Sequence, residues 1–143
     1  MVHFFGNGHV TFNIHPSLLP AFKGMHAIED MLASRAKFFG TTLHLVHDIM
    51  DSGPIVAQTV MPVAPDATAA QVNKCAYIHK IYLSLLLAEL LQTGMLLITP
   101  DHCDIKFLRP PPFTARCNPA LQNTDYLAAV LALQHKENVE AIA

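Results

Sequence analysis

The stretch NIHPSLLP, residues 13–20, decides how this chain is read. It closes an apolar run, HVTFNIH, residues 9–15. In a strand, side chains alternate with period two, so Asn13 and His15 fall on one face, side by side. An amide that donates and accepts, beside an imidazole that titrates near neutrality, can share one bound molecule. Pro16 and Pro20 then end the ladder, so the chain leaves those two groups as a loop.

The rest of the chain alternates strands and helices. Asn7-Gly8 is a turn signal ahead of the first strand. Residues 24–34 (GMHAIEDMLAS) carry apolar residues at helical spacing and read as a short helix. After Gly40, TTLHLVH (41–47) is a second strand by β-branched content, DIMDSGP (48–54) a loop, and IVAQTVMPV (55–63) a third strand ended by prolines. Asp66-Ala67-Thr68 supplies helix-start chemistry, and Val72, Ala76, Ile81, Leu85, Leu87 and Leu91 carry one long helix that Gly94 closes. Residues 95–99 and 104–108 read as a terminal hairpin. The RPPPF tract (109–113) lacks the N–H groups a ladder needs and is a linker, and residues from Asp125 to about Val139 form a final helix that docks back or caps a partner. Two units are expected: an α/β catalytic half-domain over 1–108, and a proline-rich linker with a terminal helix over 109–143.

With 143 residues, 52% apolar and 14% charged, the chain can bury a core as one domain. A net charge of -2 with no Lys/Arg cluster argues against nucleic acid and against a polybasic membrane patch. The run IYLSLLLAELL (81–91), broken by Ser84 and Glu89, is too short to span a bilayer. MVHFFGNG has neither the basic start nor the apolar core of a signal peptide. Cys75, Cys103 and Cys117 form no CxxC pair and read as reduced thiols in a cytoplasmic protein. No metal is expected, because His44 and His47, three apart on a strand, face opposite ways and no set of ligands completes a tetrahedron.

The chemistry gathers at Asn13, His15 and Asp51. The first two end one strand, the third follows another, and in open α/β sheets ligands bind beyond the carboxyl ends of strands. Amide donor, imidazole and carboxylate together suit acyl transfer: one holds a carbonyl oxygen, one relays a proton, one sets the imidazole's charge. Singly they say little. A histidine before proline is ordinarily a strand-end hydrogen-bonding group, and an aspartate in DSGP an ordinary turn former.

NIHPSLLPAFKG (13–24), GTTLHLV (40–46) and DSGPIVAQ (51–58) resemble the signature segments of the folate-dependent formyltransferases, nearest their glycinamide ribonucleotide branch. HKIY (79–82) is similar to the family's H-x-x-Y on the long helix, and the resemblance covers about residues 4–98. It implies the carboxy-terminal half of a Rossmann-like α/β fold, with a mixed, mainly parallel sheet. It also implies transfer of a formyl group from N10-formyltetrahydrofolate, as co-substrate, to an amine, glycinamide ribonucleotide in purine biosynthesis. On this resemblance Asn13 donates to the formyl oxygen, His15 stabilises the tetrahedral intermediate and shuttles protons, and Asp51 orients His15 and a water. Pro16, Ser17 and Gly24 lie on the substrate and folate side, with Leu18 and Pro20 shaping that loop. Val46, His47, Asp48 and Met50 line the pterin pocket, and His44 supports the triad from behind.

The chain also departs from the family. Members carry an amino-terminal half with the first strands, a glycine-rich loop that grips the substrate phosphate, and one wall of the folate pocket. This sequence matches only from just before the catalytic strand. Ile78 stands where the family usually has a glutamate that holds ribose hydroxyls, and isoleucine accepts no hydrogen bond. Related hydrolases show a second histidine where Pro16 stands. Methionyl-tRNA formyltransferases differ around the second strand and add a basic tRNA-binding domain. Without its parallel neighbours HVTFNIH has an open apolar edge, so a homo-oligomer or a separate amino-terminal half is the expected partner, beside the small-molecule substrate. The alternative is a truncated, non-catalytic formyltransferase-like protein that acts as an interaction module.

Overall fold

The pairing of Phe38–Leu45 with Ile55–Pro62 sets the frame of the molecule, and the other elements are placed against these two strands. The computed structural model describes residues 10–142. They form β1 (Phe12–His15), α1 (Ala27–Ala33), β2 (Phe38–Leu45), β3 (Ile55–Pro62), α2 (Ala69–Gln92), β4 (Leu96–Ile98), β5 (Ile105–Phe107), β6 (Cys117–Asn118) and α3 (Thr124–Glu137). The expected Asn7-Gly8 turn and His9, the first residue of the expected strand, lie outside the described residues. The strand expected from Thr41 to His47 starts at Phe38 and stops at Leu45, so His47 belongs to the following loop.

The main sheet has the order β1-β2-β3-β6, and each of its pairings is antiparallel. This corrects the expectation of a mainly parallel sheet for the described residues. Alternation along a strand records which face is buried and carries no information about the direction of its neighbour. Here the connections decide. The Val46–Pro54 loop is shorter than the dozen or so residues a parallel crossover needs, so β2 and β3 pair as a hairpin. Between β1 and β2 the chain is held at the end where it left. Thr42, which pairs with His15, donates its hydroxyl to the Ser17 carbonyl (2.7 Å) and accepts the Leu19 N–H (3.1 Å). β1 pairs on one side only among the described residues.

Gly40 is needed for this arrangement. A Cβ there would lie 2.2 Å from the Thr59 carbonyl oxygen and 2.4 Å from Leu18 Cδ2, so only glycine lets β3 and the Pro16–Pro20 loop approach β2 this closely.

The long helix begins and ends with the chemistry its sequence advertises. Thr68 and Gln71 form a reciprocal capping box, and Gly94 at φ +65° ends the helix. The Met95 N–H then bonds to the Leu90 carbonyl and the Gly94 N–H to that of Leu91, which is the Schellman pattern. Ile78, Tyr82, Leu83 and Leu86 of α2 join Leu43, Val56 and Ala57 of the sheet in the main core, while Ile28, Met31, Phe39, Val72 and Ala76 make a smaller core under α1. The hairpin β4-β5 follows α2 as expected.

Residues beyond the prolines join the same core. Cys117–Asn118 adds to the free edge of β3, and α3 packs on α2. The Leu121 N–H donates to the Tyr82 hydroxyl (2.7 Å) and the Gln122 N–H to Glu89 (2.9 Å). Buried Gln134 accepts from the N–H groups of Ala141 and Ile142 at 3.1 and 2.9 Å. His79, wholly buried and stacked on Phe39, receives Ala141 from the other side. A carbonyl only accepts, so His79 carries its hydrogen on Nε2, donates to Ala141 (3.1 Å), and takes the Thr59 hydroxyl hydrogen at Nδ1 (2.9 Å).

Two expectations follow. Tyr82→Phe leaves the buried Leu121 N–H without an acceptor and lowers the unfolding free energy by about 1–3 kcal/mol, read from urea denaturation. Burial, outweighing the favourable Ala141 contact, drives the His79 pKa down from 6.5 to about 4, with Arg116 adding to the fall. The folded chain therefore resists a proton that the unfolded chain takes up. Stability is full above pH 6.5 and is lost as pH drops toward 4. The loss is about 3 kcal/mol at most. Denaturation across that range measures it, and an imidazole NMR titration with an ordinary midpoint would contradict the assignment.

Candidate functional site

The site is built from β1, the β2 strand end and two loops. Cross-strand register places Asn13 opposite His44. His44 donates Nδ1–H to its neighbour's carbonyl, Leu45 O (2.9 Å), which leaves Nε2 to accept the Asn13 amide hydrogen at 3.3 Å. The second amide hydrogen and the carbonyl oxygen of Asn13, which is exposed, have no partner among the described residues. His15, two residues on, is buried, with Nε2 2.8 Å from the Phe22 carbonyl and Nδ1 3.5 Å from Asp51 Oδ2.

Asp51 joins these groups. Its side chain is 7% exposed, its Oδ2 accepts the Gly24 N–H at 2.9 Å, and its Oδ1 lies 3.7 Å from His44 Nε2. The two imidazole contacts are too long for strong hydrogen bonds and act as charge contacts when an imidazole is protonated, whereas the Gly24 bond is a short, direct one. With Nε2 of His15 directed at the Phe22 carbonyl, Nδ1 is the ring atom that faces the carboxylate.

Local chain geometry brings Asp51 there. The Leu45 N–H bonds to the Pro54 carbonyl (2.9 Å), folding the loop back over the end of β2. At Gly53 a Cβ would sit 1.7 Å from the Leu45 carbonyl oxygen, so the fold-back requires glycine. Asp51 itself has φ +51°, a conformation that aspartate tolerates better than most residues. Lys23 Nζ donates to Ser52 Oγ at 2.6 Å, which ties the two loops beside the Gly24–Asp51 bond.

The other expected site residues are distributed more widely. Ser17 is buried, with its hydroxyl donated to the Ala21 carbonyl at 2.6 Å, so it braces the loop. Pro16 is half-buried beside it, and Gly24, at φ +90°, spends its N–H on Asp51. Val46 and His47 are half-buried, Asp48 and Met50 exposed. Nε2 of His47 is buried without a hydrogen-bond partner. His44, expected behind the triad, touches both Asn13 and Asp51 directly. Ile78 is wholly buried in the main core and presents nothing to a ligand.

The carboxyl-end crevice invoked from the sequence does not describe how these groups meet. In antiparallel β1 and β2 the carboxyl ends lie at opposite ends of the pair, and the groups converge through register and the folded-back loop. The Phe22 carbonyl and the Gly24 N–H were missed as partners, since backbone atoms leave no residue-type signal. An apolar cavity of about 200 Å³ beside Phe39, Met61, Val72 and Cys75 lies apart from the cluster.

The sequence pattern described as formyl transferase matches residues 6–84, which takes in Asn13, His15, His44 and Asp51. The chain is 53% identical over 53 residues to the phosphoribosylglycinamide formyltransferase of Mycobacterium tuberculosis, covering 37% of this chain and 25% of that protein. Among solved structures, the phosphoribosylglycinamide formyltransferase of Anaplasma phagocytophilum superposes with a TM-score of 0.57 at 33% identity, covering 68% of this chain and 48% of that one. A formyltetrahydrofolate deformylase from Pseudomonas syringae gives a TM-score of 0.57 at 26% identity, covering 68% of this chain and 32% of that one. The chain thus spans a quarter of the curated relative and less than half of either solved chain. Since the match runs over more than half of the sequence and the fold agrees, this chain belongs to the formyl transferase family, with phosphoribosylglycinamide formyltransferases among its relatives.

Proposed function

We propose that the chain transfers a formyl group from N10-formyltetrahydrofolate to an amine, with glycinamide ribonucleotide of purine biosynthesis as the acceptor. The observation that carries this reading is the cluster in which His15 and His44 face the Asp51 carboxylate and Asn13 bonds to His44, inside the segment that matches the family. The proposal concerns an activity named for proteins much longer than this chain.

The residues present fit a pterin-bearing donor. His47 Nε2, buried and unpartnered, offers a hydrogen-bonding atom to a heteroaromatic ring, and Val46 and Met50 supply apolar surface next to it. When bound, N10-formyltetrahydrofolate supplies the formyl carbon. Asn13 uses its free amide hydrogen to hold the formyl oxygen, where negative charge develops. His15 holds or releases a proton at Nδ1, and Asp51 stabilises the protonated imidazole while Gly24 keeps the carboxylate in place. Pro16 and Asp48 complete the proposed rim, and buried Ser17 braces the loop that carries it.

The test is an assay of the full chain with both substrates, followed by donor consumption. Wild-type turnover is expected, with His15→Ala lower by about 10²- to 10⁴-fold and Asn13→Ala by about 10²- to 10³-fold, each variant still folded by circular dichroism. Asp51→Asn, which keeps an acceptor for Gly24, removes the charge and lowers the rate without unfolding the chain. Lack of turnover, together with no thermal stabilisation by a folate analogue, would overturn the reading. Formate release in place of amine formylation would reassign the site to hydrolysis.

The one-sided pairing of β1 among the described residues supports a second proposal, that another chain completes the sheet, either a second copy or a separate amino-terminal half. Sedimentation at micromolar concentration is expected to show a species larger than one chain, and a stable monomer would count against self-association.

A further inference from the structure

The tract Arg109–Phe113 takes no part in the site and lies outside the family match. It is nonetheless a formed surface feature. Arg109, Pro110 and Pro111 each precede a proline, which confines them to extended or polyproline II backbone. Proline rings fix φ near -65°. The cis peptide bonds of the described residues are at Leu19-Pro20 and Asn118-Pro119, so the bonds within the tract are trans. Consecutive trans prolines under these restraints form a turn of polyproline II helix, with three residues per turn and no internal hydrogen bonds.

Its ends are anchored and its middle is free. The Leu108 N–H bonds to the Met95 carbonyl at 2.9 Å, and the Pro112 carbonyl accepts the Ala120 N–H at 2.8 Å. Between these points the carbonyls of Arg109, Pro110 and Pro111 accept no hydrogen bond among the described residues. Pro111 is half-buried, while Arg109, Pro110 and Pro112 are exposed. Phe113 is 73% exposed and Leu108 66%. The prolines border an open groove of about 670 Å³ over Leu86 and Leu90 of α2 and Thr93 just beyond its end. Arg109 forms no ion pair among the described residues.

We propose that Arg109–Phe113 is a recognition segment for a protein module whose groove is lined by a tryptophan and a tyrosine and rimmed by acidic side chains, of the WW-domain kind. Proline rings present flat apolar edges that stack on aromatic faces, and the free tertiary-amide carbonyls are strong acceptors for the tryptophan and tyrosine donors. The segment is already held in its bound shape, so docking orders little chain. Phe113 occupies the place where a second proline would complete P-x-x-P from Pro110, which points away from SH3 grooves and toward grooves that read adjacent prolines. Arg109, unpaired at the start of the tract, selects an acidic rim. A single arginine on a chain of net charge -2 is a poor match for nucleic acid or for an anionic membrane.

The test titrates the isotope-labelled full chain with a purified WW domain having such a groove and rim, and with the same domain carrying alanine in place of the groove tryptophan. The expected result is saturable shifts at the amides of Leu108, Arg109 and Phe113 in the micromolar range. These shifts disappear with the altered domain and with Pro110→Ala combined with Pro111→Ala. Arg109→Glu weakens binding roughly tenfold. Matching melting temperatures of the variants exclude unfolding as the cause. The absence of saturable shifts at millimolar domain, or binding that survives the double proline replacement, overturns the proposal. Formyl transfer activity does not enter this readout, so failure of either proposal is visible independently.

Discussion

A nearly buried carboxylate needs partners, and Asp51 finds them in the Gly24 N–H and two imidazoles. Each partner arrives from a different part of the chain: Gly24 from the loop after β1, His15 from β1 itself, His44 from β2. Satisfying one charge therefore fixes the loop before α1 against the loop after β2. Lys23 and Ser52 add a second tie between the same loops at the surface.

Beneath this cluster a neutral network does comparable work for the backbone. The Thr42 hydroxyl and the Gln58 amide, at 2.9 Å from each other, serve the carbonyls and N–H of Ser17 and Leu19, which as irregular backbone have no ladder of their own. This keeps the segment after His15 flat on the sheet, and Gly40 gives it room to lie there. The site is therefore mounted on a strand pair and a braced loop, the kind of support that holds acid–base groups within the tolerance catalysis requires.

The carboxy-terminal residues stabilise the same body from the opposite side. His79, Tyr82 and Glu89 lie along α2 and each engages backbone of the segment after the prolines. The proline tract bridges between β5 and β6 without contributing to either ladder, which leaves it as a rigid, outward surface on a well-fastened frame.

Most elements were legible in the sequence because their signals are local. The helix start at Asp66–Thr68, the stop at Gly94, the prolines that end β3 and the spacing on α2 are each decided within a few residues. Asn13, His15 and Asp51 stood out as residue types of the right chemistry, and the family motifs gave them a common context. Strand direction, the part of His44 in the cluster, the Phe22 and Gly24 backbone contacts, and the return of residues 117–142 to the core were decided only in three dimensions. The physical reason is that hydrophobic period and capping act through neighbours along the chain. Direction, register and the satisfaction of a buried charge depend on groups far apart in sequence, whose meeting is settled by loop paths and close backbone approach.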